Sequence, residues 1–227
     1  LRDCRVVFTV SEFSKRRMVE LLGADPETIR VVGNGVEPEF FEIAECDPSS
    51  LEQPCTEPYL FMVGGLREKK GGDALLAVAR QLREQGSNIQ LIVAGPNGDA
   101  YESEAEELEN VHLLGWVPDD EMPQLMRGAL ALLFLSRYEG FGLPAAEAMA
   151  AGTPAIVSDA ASLPEVVGDA GIVVDPSATD DIVNVVRTLN RDRGMRGRYA
   201  VAGRKRAQAY SWGRCMDRLL TTFEDVL

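Results

Sequence analysis

Two glutamates, Glu139 and Glu147, bracket the run EGFGLPAAE. Pro144 suits the first turn of a helix, so the run reads as a tight turn feeding a helix N-terminus. Gly140 and Gly142 allow a backbone in which free N–H groups face outward, and the helix dipole adds partial positive charge at the same place. The chemistry of such a corner is anion binding, and a phosphate is the expected guest. Two further glycine-rich runs, VGGLREKKGGD and AGPNGD, offer similar turns. The first sets Gly64, Gly65, Gly71 and Gly72 around Arg67, Lys69 and Lys70, a flexible cationic turn that suits a diphosphate. Each signal has a plainer reading. A glycine turn with lysines is often only a solvated loop, and Glu147 in the first turns of a helix is often only a dipole partner. Capping explains Glu139 less well, because it precedes the helix.

These turns need strands to end on. Short runs of branched apolar residues alternate with amphipathic segments, the pattern of βα units in a parallel sheet. Strands are predicted at 6–10, 29–32, 59–63, 89–94, 111–114, 129–135, 154–158 and 171–174. Helices are predicted at 12–22, 73–85, 101–108, 121–127, 144–150, 163–167, 179–189, 195–210 and 212–226. The sum is an α/β chain with a Rossmann-like, doubly wound parallel sheet, in which ligands sit beyond the carboxyl ends of the strands. All three glycine-rich runs fall at such ends. Residues 38–58, rich in proline and acids and without periodicity, read as a linker. Residues 59–227 form the main domain, with helices at its C-terminal end. Residues 1–37 form a βαβ piece with Ser11 as N-cap of its helix, and that piece must pack on the main domain or on a partner, because it cannot bury its own faces. Its first residues look like a strand cut from something longer.

The chain has 227 residues, with 45% hydrophobic and 26% charged residues, near the values of an ordinary globular protein. No apolar run approaches membrane-spanning length, and the first residues do not form a secretory signal. Lys and Arg number 23 against 36 Asp and Glu, a net charge of -13, which repels nucleic acid and anionic lipid. Phosphate must therefore be held locally. One histidine, His112, argues against a nucleophilic triad. Cys4, Cys46, Cys55 and Cys215 lack the spacing of a zinc site. A Cys46–Cys55 bridge is open in principle, but reduced thiols in a cytoplasmic protein are the favoured reading.

The segment from Glu139 to Glu147 resembles the E-x7-E signature of the retaining family 4 glycosyltransferases, often called group 1. The likeness runs through FLSRYEGFGLPAAEAMAAGTPAIVSDAASLPEVVGDAGIVVDP, and back through LGWVPDDEMPQLM, VAGPNGD, VGGLREKKGG and VSEFSKRRMVELLGADPETIRVVGNGVEPEFF. It covers nearly the whole chain, with the motifs in order. The resemblance implies the GT-B fold, two facing Rossmann-like domains with the active site between them, of which this chain looks like the C-terminal, donor-binding half. Residues 1–37 would then be the last piece of the N-terminal, acceptor-binding domain, otherwise absent and expected as a partner. The last helix would run back toward that domain.

Carried over by position, the resemblance implies that Glu147 holds the ribose hydroxyls of a nucleotide and that Glu139 faces the donor sugar. It gives the amides of Gly140, Phe141, Gly142 and Leu143 to sugar hydroxyls and diphosphate, and gives Lys70 to the leaving nucleoside diphosphate. The base is expected near Val117 and Leu114, although Leu114 reads better as plain core. The family often has arginine where this chain has Gly65, so Arg67, or failing that Lys69, is expected to supply the charge. The activity implied is transfer of a sugar from a UDP-, GDP- or ADP-sugar to an acceptor hydroxyl with retention, in polysaccharide or related synthesis. No essential metal or other cofactor is expected: there is no D-x-D element, and Asp119-Asp120 and Asp180-Asp181 look like helix starts. The alternative is a nucleotide-sugar-binding module, inactive without the N-terminal domain. Contact with nucleic acid or membrane is not expected.

Overall fold

The protein, described by a computed structural model over residues 4–226 without the side chains of Asp99, Asp225 and Val226, opens with strand β1 (Val7–Thr9), helix α1 (Glu12–Leu22) and strand β2 (Ile29–Val31). Residues 1–3, part of the predicted cut strand, lie outside the described residues. β1 and β2 pair in parallel as a separate two-stranded sheet. Ser11 caps α1 as expected, its hydroxyl accepting from the Ser14 N–H at 2.9 Å. Gly23, with φ at +62°, closes the helix in the left-handed conformation.

The next segment carries more structure than its prolines suggest. Pro38–Glu42 forms a short helix, α2, and single 3-10 turns follow at Ile43–Glu45 and Pro48–Ser50. Phe40 and Ala44 are buried, with Phe40 in the core of the main sheet. One turn of helix is too short to show a period in sequence, and here it is fixed by what Phe40 packs on.

The main sheet follows the expected alternation: β3 (Tyr59–Val63), α3 (Gly72–Glu84), β4 (Gln90–Ala94), α4 (Asp99–Glu106), β5 (Val111–Gly115), α5 (Met122–Gly128), β6 (Ala131–Phe134), α6 (Leu143–Ala150), β7 (Ala155–Ser158), α7 (Leu163–Val167) and β8 (Ile172–Val174). Its order is β5-β4-β3-β6-β7-β8, all parallel. β3 and β6 are adjacent while their connections leave in opposite directions, so a crevice opens beyond their carboxyl ends. The four central strands are apolar nearly throughout because both faces are covered. Alternate residues of β3 show this: Leu60 and Met62 pack with α3 and α8 (Thr179–Arg191), whereas Phe61 packs on the side of α6 and α9 (Arg193–Ala207). At the edge, β5 alternates instead, with His112 and Leu114 outward. Leu114 is 39% exposed, which corrects its reading as core.

Helix α10 (Trp212–Val226) ends the chain against the first βαβ unit. Phe223 meets Phe8 at 5.2 Å between ring centroids, and the Arg218 guanidinium donates to the Val32 carbonyl at 3.0 Å. The unit therefore packs on α10 and, through α1, on the main domain. No helix among the described residues is long and apolar enough to cross a membrane.

Candidate functional site

The crevice between β3 and β6 is closed by the two loops that the sequence singles out. After β6, Ser136 to Gly142 form the turn that leads into α6. After β3, Gly64 to Gly71 fold back so that the Arg137 N–H donates to the Lys69 carbonyl at 2.9 Å. This clamp brings Lys70 to Glu139, with 2.7 Å between Nζ and Oε1 and both side chains mostly buried. Ser136 completes the corner, its hydroxyl lying 2.8 Å from the same carboxylate oxygen and 3.1 Å from the Lys69 carbonyl. The Lys70 ammonium also sits 5.1 Å from the Phe134 ring centroid, a cation–π contact that fixes its stem at the end of β6.

The turn from Glu139 to Leu143 is polarised. The Glu139 and Phe141 carbonyls share the Ser162 hydroxyl at 2.9 and 2.7 Å. The Gly140 carbonyl accepts from Ser11 at 2.6 Å and Ser14 at 2.9 Å, both from the start of α1. The Gly142 carbonyl accepts from the Ala145 N–H. Every carbonyl from 139 to 142 is thus engaged. Among the described residues, no backbone or side-chain acceptor takes the N–H groups of Gly140, Phe141, Gly142 or Leu143. Free donors at a helix N-terminus with bound carbonyls behind them form an anion cradle. Gly142 has φ at +99°, and a Cβ there would meet Leu163 at 2.4 Å, so the turn requires glycine. The carboxylate of Glu165 takes the N–H groups of Glu12 and Phe13 at 2.7 and 3.0 Å and so holds α1 in place.

Glu147 does not join the Lys70–Glu139 pair. It lies further along α6 in a cleft of about 620 Å³, lined also by Glu37, Phe40, Val63, Asp119 and Leu143. That volume is in the range of small-molecule sites. Burial, then the charges of Asp119 and Glu37, raise its carboxyl from 4.5 to about 7. A raised carboxyl destabilises the fold as pH rises. Below about 4.5 both states are neutral and no cost arises. Between there and about 7 the unfolded chain ionises first, and above 7 the full penalty of about 3 kcal/mol stands. Glu147→Gln is therefore expected to stabilise the ligand-free chain by up to about 3 kcal/mol at pH 8 and by little at pH 4. Urea unfolding at the two pH values measures this, and equal gains at both would rule out ionisation as the cause.

Val117 lies in an adjoining cleft of about 600 Å³ with Leu114 and Trp116, and Asp120 lines both clefts. Val117 is half-buried against the core. Asp119 and Asp120 precede α5 but do not cap it, since Glu121 occupies that position.

Arg67 is exposed, its Nε donating to the Pro96 carbonyl at 3.0 Å. Lys69 stands 5.9 Å from the Tyr138 ring centroid. Gly65 has φ at +74°, and a Cβ there would lie 1.9 Å from the Pro96 oxygen. Position 65 in this backbone admits glycine only. Ser136, Ser162 and Ser14 carry no motif that marks them, although Ser136 stands at a strand's carboxyl end, where polar residues are worth noting.

The chain matches the family described as glycosyl transferases group 1 over residues 45–206. O-antigen chain mannosyltransferase B of Escherichia coli is 30% identical over 99% of this chain and 61% of its own length. Among solved structures, sucrose-phosphate synthase from Thermosynechococcus elongatus superposes with a TM-score of 0.83 at 22% identity, over 100% of this chain and 59% of that one. HepE from Anabaena, solved in complex with UDP and glucose, gives a TM-score of 0.82 at 21% identity, over 99% of this chain and 64% of that one. The chain thus spans roughly half to two thirds of the length of the proteins it matches.

Proposed function

The chain belongs to the group 1 glycosyltransferases and carries the Rossmann-like half of their GT-B fold, and from that premise we propose that it binds the nucleotide-sugar donor of a sugar transfer. The observation that carries this reading is the polarised turn: carbonyls 139 to 142 engaged, amides 140 to 143 free, and Lys70 beside the first residue. A diphosphate fits that turn, with its charge met by the amides, the helix dipole and Lys70. Arg67, three residues before Lys70 on the same loop, adds a cation at the outer side, where Gly65 has no side chain.

In this reading the nucleoside lies in the Glu147 cleft. The Glu147 carboxylate accepts from two ribose hydroxyls, and the base extends toward Val117. Glu139 faces the sugar. As the bond between the anomeric carbon and the diphosphate oxygen breaks, Lys70 and the amides meet the charge growing on that oxygen. The acceptor hydroxyl forms the new bond to the anomeric carbon and releases its proton to the leaving diphosphate. Retention is the outcome consistent with the family 4 resemblance, and polysaccharide or related glycoconjugate synthesis is the proposed setting. An acceptor-binding domain is the proposed partner that completes the cleft, and no step in the scheme calls on a metal.

Calorimetric titration with UDP, GDP, ADP and their sugar conjugates tests the donor site. One nucleotide series is expected to bind selectively, with affinity reduced about tenfold or more in Lys70→Ala. Because hydroxyl donation favours the ionised carboxylate, affinity is also expected to rise as pH passes through 7, and Glu147→Gln should flatten that rise. Binding indifferent to both substitutions would place the nucleotide elsewhere.

A further inference from the structure

The basic residues of this acidic chain are unevenly placed. Eight of the 23 lie between Arg187 and Arg206. Four of them, Arg187, Arg191, Arg193 and Arg196, line clefts that share no residue with the donor site. Two clefts open at the amino-terminal edge of the sheet, one of about 410 Å³ containing Arg127, Arg193 and Arg196, the other of about 300 Å³ containing Arg187 and Arg191. Asn190 lines both, so they form one interrupted groove. The residues just before β3, β4, β6 and β7, namely Pro58, Ile89, Leu130 and Pro154, make its floor. A full strand length, about 15 Å, separates this edge from the glycine-rich turns.

Five arginines and no carboxylate line the groove. Three acids close by in sequence or charge, Asp192, Glu45 and Asp47, do not line it and have partners of their own. Asp192 accepts from the Met195 N–H at 2.8 Å, Glu45 pairs with Arg204, and Asp47 accepts from the Ser49 N–H at 2.9 Å. Three of the arginines have structural work: Arg127 donates to the Cys46 carbonyl, Arg187 to Gln85, and Arg196 reaches toward the Leu189 carbonyl. Arg191 and Arg193 are exposed and, among the described residues, have no ion pair or hydrogen bond. Arg127 is held where burial and the neighbouring Arg204 charge both work against its own charge. A groove lined by guanidinium groups and by no carboxylate carries a positive local potential, which draws an anion.

We propose that this groove is a second anion site, which takes the phosphate groups of a di- or polyphosphate through Arg191 and Arg193, with Arg127, Arg187 and Arg196 along its length. Guanidinium forks match phosphate oxygens bidentately, and the two lobes with cations in both suit a ligand whose phosphates are separated along a chain. The site is independent of the donor reading, because it shares no residue with the turn or the Glu147 cleft.

Titration with inorganic tripolyphosphate at low salt is the test, on the wild-type chain, on Arg191→Gln/Arg193→Gln, on Arg191→Lys/Arg193→Lys and on Lys70→Ala. The glutamine pair is expected to lose at least about tenfold in affinity, the lysine pair less, and Lys70→Ala to keep the groove component. An unchanged glutamine pair, or binding abolished by Lys70→Ala alone, overturns the proposal. Pelleting with vesicles containing cardiolipin, whose headgroup carries two phosphates, with phosphatidylcholine vesicles as control, separates the sources. Capture that depends on Arg191 and Arg193 assigns the phosphate to a lipid headgroup, tripolyphosphate binding without capture assigns it to a soluble ligand, and neither response overturns the site.

Discussion

Lys70→Ala is expected to lower sugar transfer by about 10²–10³-fold, the range observed when one preorganised donor to a developing oxyanion is removed. The geometry gives the reason. The ammonium is held by the Phe134 ring and the Glu139 carboxylate at the mouth of the polarised turn, so it costs no reorganisation to meet a diphosphate there. Glu139→Gln separates the two roles of this pair by sign. Neutralising Glu139 removes an anion from the phosphate site and frees Lys70 from its partner, so binding of free nucleoside diphosphate should strengthen while transfer falls. Lys70→Ala should weaken both. A steady-state assay with the acceptor-binding domain present, beside calorimetry with the nucleoside diphosphate alone, reads the two quantities separately. If Glu139→Gln weakened the diphosphate as much as Lys70→Ala does, the pair would be a structural strut, and Ser136 would be its third member.

The strands were legible because their burial is uniform. Tyr59 to Val63 and Ala131 to Phe134 are apolar runs that only a doubly covered parallel sheet can use, and the loops after them are the glycine-rich ones. Leu114 could also have been placed from sequence: His112 marks the solvent face of an edge strand, and Leu114, two residues on, shares that face. The site was half legible. Glu139, Lys70 and the glycine turn sit where strand ends put them, but two of the three hydroxyls that polarise the turn come from 129 residues away in Ser11 and 126 in Ser14, and the third, Ser162, lies beyond the next strand. No local pattern records a partner at that separation. Phe40 in α2 escaped for the same reason, since its helix exists because of the core beneath it. The separate places of Glu147 and Glu139 were implied by the family resemblance and not by the local pattern, because a turn followed by a helix fixes each residue's element and not the cleft that its side chain enters.

Gly65→Arg puts back the cation that the family often has at this position, and it is expected to damage the protein. With φ at +74°, an L side chain is already strained, and its Cβ would stand 1.9 Å from the Pro96 oxygen and 2.5 Å from its carbon. Relief requires moving Pro96, yet Gly95 next to it, at φ +110°, already lies against the Gly64 and Gly65 backbone, and Asn97 accepts from the Leu66 N–H. The loop cannot give way at one point. We expect a loss of about 3 kcal/mol or more, roughly 6–12 °C in midpoint temperature, with a similar loss for Gly65→Ala because the cost begins at Cβ. Arg67→Ala should differ in kind, leaving the midpoint nearly unchanged while weakening the nucleoside diphosphate. The contrast follows from one carbonyl: Pro96 O stands where a side chain on residue 65 would start, and Arg67 uses that same oxygen to hold its guanidinium. If Arg67 supplies the phosphate-binding cation as proposed, arginine at 67 and glycine at 65 are two halves of one solution. If Gly65→Arg folded with an unshifted midpoint and restored binding to Arg67→Ala, the two halves would be independent, and the close approach of Pro96 would not be what keeps glycine at 65.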